Sequence, residues 1–189
     1  MKLVLASQSP RRQELLALMG LDFTVRVADI DETMDKTKDP KEEVARVSRA
    51  KAMAVPAEPD ELVIAADTIV VCDGMLLGKP GSPEGAVQML RLLSGRDHQV
   101  MTGLTLRKGD TILSHTEVST IHFRELDPRE IDAYVATGEP LDKAGAYGIQ
   151  GKAAVFVTRL EGDYYNVMGL PVCTLTQRLR ELGVPVLGV

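Results

Sequence analysis

The chain has 189 residues, 44% of them hydrophobic and 26% charged, which suits one domain or one domain with lobes built on a sizeable core. Lys and Arg number 22 against 27 Asp and Glu, a net charge of −5, and aromatics are only 4% with no Trp. That balance argues against a dedicated nucleic-acid binder, which needs a basic face and base-stacking rings, but leaves room for a local basic pocket. Cys72 and Cys173 each sit in an apolar run and read as reduced core residues. No Cys/His spacing suggests zinc. Met1–Ala6 is shorter than the roughly 7–15 apolar residues of a signal peptide. No run approaches the roughly 18 of a membrane span. The expectation is a cytoplasmic protein with no membrane partner.

In chain order, Leu3–Ala6 reads as a buried strand. Ser9-Pro10 starts a helix that buries Leu15, Leu16, Leu18 and Met19 and ends at Gly20. Phe23–Val27 alternates like a second strand, and the acidic stretch Asp29–Pro40 reads as a loop. Lys41–Val55 is helical, with Val44, Val47, Lys51 and Val55 spaced for one face, and Pro56–Asp60 breaks it. Leu62–Cys72 is the most apolar strand, followed by a hairpin turn at Asp73-Gly74. Ser82–Leu93 is a helix. Val100–Leu106 and Thr111–Phe123 form a second hairpin through Arg107–Asp110. A helix starts at Asp127-Pro128 and runs to Thr137. Lys143–Lys152 is a Gly-rich loop, Ala153–Leu160 a strand, Glu161–Asn166 a polar turn and Leu170–Leu182 the last helix. Helices and strands alternate while hairpins interrupt the order, which predicts a mixed-sheet α/β fold.

Two segments break local rules. Ser7, Ser9, Arg11 and Arg12 surround a helix start, where free N–H groups favour an anion and guanidiniums supply forked donors for phosphate. Cations in a first turn oppose the helix dipole, a conflict that an anionic ligand resolves. The plainer alternative is that Ser9 caps the helix and the arginines are solvated. Asp67 places a carboxylate inside an apolar strand, where an unpaired charge is costly. It must be paired, protonated, bound to metal or at a pocket edge. Asp31 and Glu32 would complete an oxygen set for Mg²⁺ or Mn²⁺; a salt bridge to Lys51 or Lys79 is the alternative. Lys51 and Lys79 also have ordinary readings as snorkelling or surface lysines. The glycines of Gly145–Gly151 suit either a flexible loop or a backbone shaped to approach a flat ligand. His98, His115 and His122 read as surface or strand residues. Neither a Gly-x-Ser-x-Gly element nor a P-loop is present.

Six segments in order carry a resemblance: Leu5–Leu16, Asp31-Glu32, Ala66-Asp67-Thr68, Gly78-Lys79-Pro80, Asp142–Gly151 and Gly169-Leu170-Pro171. With them the chain resembles the Maf (septum formation inhibitor-like) nucleotide pyrophosphatases over nearly its whole length, residues 1–189 forming a single domain of that type. The resemblance implies an α/β fold with a bent mixed β-sheet flanked by helices, in two lobes around a central cleft, like the inosine triphosphate pyrophosphatases. It implies metal-dependent hydrolysis of a nucleoside triphosphate to the monophosphate and pyrophosphate, by a cytoplasmic homodimer. One subgroup of the family acts on dTTP and UTP, with Arg, Thr and Gln where this chain has Arg11, Thr68 and Gln150. A sibling subgroup acts on 7-methyl-GTP and has other residues there, such as Trp for the first Arg. Under that reading Arg11, Thr68 and Gln150 select the base, and a Gln amide can donate to O4 and accept from N3–H of uracil or thymine. Asp67 is the proton acceptor and, with Glu32, holds a divalent metal, Mg²⁺ or Mn²⁺. Lys51 and Lys79 are catalytic cations, and Ser7, Ser9 and Arg12 bind phosphate. The rival readings are a pyrophosphatase for modified purine nucleotides and a non-catalytic regulator of septation that binds nucleotide or DNA.

Overall fold

The computed structural model describes residues 1–188. Its elements are β1 (Lys2–Leu5), α1 (Pro10–Leu18), β2 (Phe23–Val25), α2 (Pro40–Ala54), β3 (Glu61–Cys72), β4 (Met75–Leu77), α3 (Pro83–Leu93) and β5 (Asp97–Lys108). They continue with β6 (Thr111–Phe123), α4 (Pro128–Ala136), three 3-10 turns between Glu139 and Phe156, β7 (Val157–Glu161), α5 (Tyr164–Met168) and α6 (Val172–Glu181). The seven strands form one sheet in the order β2-β1-β3-β5-β6-β7, with β4 paired to β3. β1 runs parallel to β2 and β3, while β4 and β7 pair antiparallel with β3 and β6, so the sheet is mixed, as the alternation broken by hairpins predicts.

The chain divides into two compact units. Among the described residues, the first comprises 1–67, 102–117 and 169–188; the second comprises 68–101 and 118–168. β3, β5 and β6 each contribute to both. In the first unit, β1 and β3 bury Val4, Val63 and Ala65 against Ala52 of α2 and Val55 just after it. β5 passes so close to α2 that a Cβ on Gly103 would collide with the Val44 carbonyl, its carbon lying 2.7 Å away. A hydroxyl chain ties α2 further: Ser48 Oγ lies 2.9 Å from Thr105 Oγ1, which lies 3.1 Å from Ser114 Oγ. In the second unit, Leu90 and Leu93 of α3, Ile121 and Phe123 of β6, and Ile131 and Tyr134 of α4 belong to one apolar cluster. The start of α4 has a full capping box, with Asp127 and Glu130 bonding each other's backbone N–H.

Six expectations need correction. Leu18 is exposed rather than buried, because at the end of α1 it lies off the face that buries Leu15 and Leu16. In place of the polar turn Glu161–Asn166, β7 runs to Glu161 and the short helix α5 begins at Tyr164. Ala153–Leu160 is not one strand: Lys152–Phe156 is a 3-10 turn and β7 begins at Val157. Ala153 and Phe156, three residues apart, are the buried pair, a helical spacing that the short apolar run concealed. Cys72 is a buried free thiol as expected, but Cys173 is exposed, because α6 buries Leu175 and Leu179 and Cys173 lies off that stripe. β2 ends at Val25, with Val25 and Val27 both exposed. β5 starts at Asp97, because buried His98 takes an inward position of the alternation.

Candidate active site

The first unit assembles seven of the predicted residues. β1 delivers the chain to Ser7, and Pro10 starts α1 with its preset φ. Ser9 occupies the N-cap position, yet its side chain makes no cap hydrogen bond. Ser7 organises the turn instead: its hydroxyl accepts from the Ser9 N–H at 3.2 Å and from Arg12 Nη1 at 3.1 Å. Arg12 is buried and donates through Nε to the Gly169 carbonyl at 2.8 Å. Burial lowers its pKa, and the nearby Asp67 and Glu32 carboxylates oppose that shift. Arg11, one residue earlier, is half-buried. The two arginines thus differ physically, one fixed by the fold and one with a freer reach.

Asp67 and Thr68 are the only two positions of β3 that are not buried. Period-two alternation carries Val63 and Ala65, which pack on α2, forward to Asp67 on the same face. The α2 stripe ends there too. Lys51 Nζ lies 2.6 Å from Asp67 Oδ1 and 2.9 Å from Glu32 Oε2. The anomaly in β3 is therefore resolved by pairing with Lys51. The ammonium and the Asp67 carboxylate are largely shielded, with side-chain exposures of 13% and 14%, whereas Glu32 is 57% exposed.

Glu32 sits on a loop fastened from both ends. Asp31 Oδ1 accepts from the Thr33 N–H at 2.8 Å, and hydrogen bonding to the Thr33 side chain first, and to its backbone second, lowers the Asp31 pKa. Arg46 of α2 reaches the Thr33 carbonyl at 2.8 Å and grips Glu43 at 2.9 and 3.0 Å, while Glu43 accepts the Asp35 N–H at 2.9 Å. Glu43 is buried and its pKa lowered, first by the hydrogen bond from Arg46. The sequence reading missed this staple; the Glu-x-x-Arg spacing on one helix face was its only trace. Among the described residues no group of three His, Cys, Asp or Glu converges as a ready metal cage.

The second unit carries Thr68, Lys79 and Gln150. Thr68 follows Asp67 directly and faces the other side of β3. Lys79 is exposed after β4, on a segment whose Gly78 carbonyl accepts the Gly145 N–H at 3.1 Å. Gly145 is left-handed (φ +68°), and a Cβ there would lie 2.8 Å from Val70 Cγ2, so this glycine is required by both conformation and space. Tyr147, two residues on, bonds His98 Nε2 at 2.8 Å through its hydroxyl. Gln150 itself is exposed.

Residues 2–182 match the model of the Maf-like protein family. A protein of Moorella thermoacetica named dTTP/UTP pyrophosphatase is 51% identical, over 99% of this chain and 98% of that protein. One of the same name from Symbiobacterium thermophilum is 49% identical over 98% and 96%. Among solved structures, the Ham1 protein of Staphylococcus aureus shares the fold, with a TM-score of 0.53 at 16% identity over 96% of this chain and all of that one. The carboxylate–lysine constellation and the Ser7–Arg12 turn are thus set in a chain that belongs to the Maf-like protein family.

Proposed function

We propose that this chain hydrolyses dTTP and UTP to the nucleoside monophosphate and pyrophosphate. The observation that carries the reading is the convergence of Glu32 and Asp67 on Lys51, in a chain about half identical to relatives named for that reaction. Water attacks the α-phosphorus, its proton passes to an Asp67 oxygen, and the bond from the α-phosphorus to the bridging oxygen breaks to release pyrophosphate. Arg12, held by Ser7 and Gly169, offers its guanidinium to the phosphates without reorganising. Lys51 and Lys79 neutralise the charge that develops on the leaving group. Ser9, whose side chain makes no cap hydrogen bond, lends its hydroxyl at the start of α1. Arg11, Thr68 and Gln150 choose the base.

A divalent cation fits this donor set. Two carboxylates already share one cationic partner, and Mg²⁺ commonly takes one or two protein carboxylates together with substrate phosphate oxygens. Glu32 and Asp67 would hold it; when bound, it supplies Lewis acidity and charge neutralisation to the triphosphate. The wider reading is a cytoplasmic homodimer acting in nucleotide-pool house-cleaning, with a link to arrest of cell division. No helix among the described residues is long and apolar enough to cross a membrane.

Metal-dependent pyrophosphate release by the pure protein, across a panel of dTTP, UTP, CTP, GTP and inosine triphosphate, tests the reading. Asp67→Asn should lower kcat by about a hundredfold or more while changing KM little, because it removes the proton acceptor and keeps the shape. Undiminished turnover in Asp67→Asn would sink the base assignment; equal rates on purine nucleotides would sink the substrate assignment.

A further inference from the structure

The Gly-rich loop is built around a carboxylate that the proposed chemistry does not use. The Gly151 N–H donates to the Gly148 carbonyl at 3.0 Å, so Ile149 and Gln150 are the central residues of a tight turn. Both ends of that turn are tied to one pair of side chains. The Gly148 N–H donates to Tyr134 Oη at 3.3 Å, and the Lys152 N–H donates to Glu139 Oε2 at 3.1 Å. Tyr134 Oη in turn donates to Glu139 Oε1 at 2.9 Å, joining the two anchors. Lys143 braces Glu139 from behind, its Nζ donating to the Glu139 carbonyl at 2.8 Å and to Asp142 Oδ1 at 2.7 Å. The side chains pack close on the turn: a Cβ on Gly151 would run into the Glu139 carboxylate, and one on Gly148 would lie 2.8 Å from Lys143 Cε. Tyr134 is buried, its ring edge-on to Phe156 with centroids 5.3 Å apart, so the clamp stands on the core of its unit.

We infer that Tyr134 and Glu139 are positioning residues for substrate choice: they hold the Gly148–Gly151 turn so that the exposed Gln150 amide meets the base at a fixed height and angle. The inference rests on the base-selecting role proposed for Gln150. An amide discriminates among bases only where its backbone is fixed, since a drifting loop lets it re-aim. Neither residue is among those proposed to bind the phosphates, so the clamp acts on recognition and leaves the proposed bond-breaking groups alone.

The test compares kcat and KM for dTTP, UTP and CTP in the wild type, Tyr134→Phe, Glu139→Gln, Gln150→Ala and the Tyr134→Phe/Gln150→Ala double variant. Tyr134→Phe keeps the ring and its packing and deletes only the hydroxyl; Glu139→Gln keeps size and one acceptor. Each should lower kcat/KM for dTTP and UTP by about threefold to tenfold, the effect of one or two lost hydrogen bonds, mainly through KM and with CTP little changed. In the Gln150→Ala background, Tyr134→Phe should add nothing, as expected for residues acting through one group. Equal, additive losses on all three nucleotides would overturn the inference by making the clamp a purely structural element. If Gln150→Ala abolishes the preference over CTP while Tyr134→Phe and Glu139→Gln keep it, the positioning role alone fails. If Gln150→Ala itself keeps the preference, the role of Gln150 fails first.

Discussion

Lys51 holds two carboxylates that would otherwise repel each other, one of them, Asp67, largely removed from water. Its ammonium occupies the position between Glu32 and Asp67 that the proposed divalent cation would take. Replacing it with Met keeps the aliphatic stem and deletes the charge. Lys51→Met should therefore bind Mn²⁺ more tightly than the wild type in the absence of nucleotide, by titration calorimetry, even as dTTP turnover falls. Unchanged or weaker Mn²⁺ binding would separate this carboxylate pair from the metal. The Ser7–Arg12 segment was legible because its residue types conflict with a bare helix start. What was not legible is the partner that fixes Arg12, the Gly169 carbonyl 157 residues away. A backbone acceptor has no residue type to betray it.

Among the elements, α2 does most to place the chemistry. The stripe Val44, Val47, Lys51 and Val55 was readable from spacing alone, and the fold uses it: Val44 and Val47 of α2 and Val55 just past its end are buried, and Lys51 reaches Asp67. How close α2 lies to the sheet was not readable, because it depends on a residue without a side chain. Gly103→Ala would press a methyl into the Val44 carbonyl, and backbone on both sides leaves little to yield. The expected cost is about 1–3 kcal/mol, the usual range for overpacking, measured as a lowered melting temperature. An unchanged melting temperature would mean that α2 can move away freely. Strand and helix types were mostly legible because hydrophobic period separates them. The failures share a cause: in 152–156, at His98 and at Cys173, polarity and burial part company. A histidine took a core position, and apolar residues fell outside a buried stripe.

For the molecule as a whole, three of the four chain crossings between the two compact units fall inside β3, β5 and β6, and the fourth lies between α5 and α6. Strands that serve both units cannot unravel in one without unravelling in the other, so one cooperative unfolding transition is expected. Acid should expose it in two stages. Burial lowers the pKa of His98 from 6.5 to about 4. The unfolded chain thus takes up this proton below about pH 6.5 and the folded chain only below about pH 4, so stability present above 6.5 is lost as pH falls between those values. Glu61 and Glu130 are each lowered from 4.5 to about 2, first by hydrogen bonds from Arg26 and Arg124 respectively. Their contribution is present above pH 4.5 and lost as pH falls toward 2. Urea unfolding at successive pH values reads both windows. His98→Gln should flatten the slope between pH 6.5 and 4 by up to one proton, ~1.4 kcal/mol per pH unit, and leave the lower window alone. Glu61→Gln and Glu130→Gln should flatten only the lower window. Glu61 belongs to the first unit and His98 and Glu130 to the second, so all three variants must move a single transition. Two transitions, each answering to its own unit's variants, would show that the shared strands do not couple them.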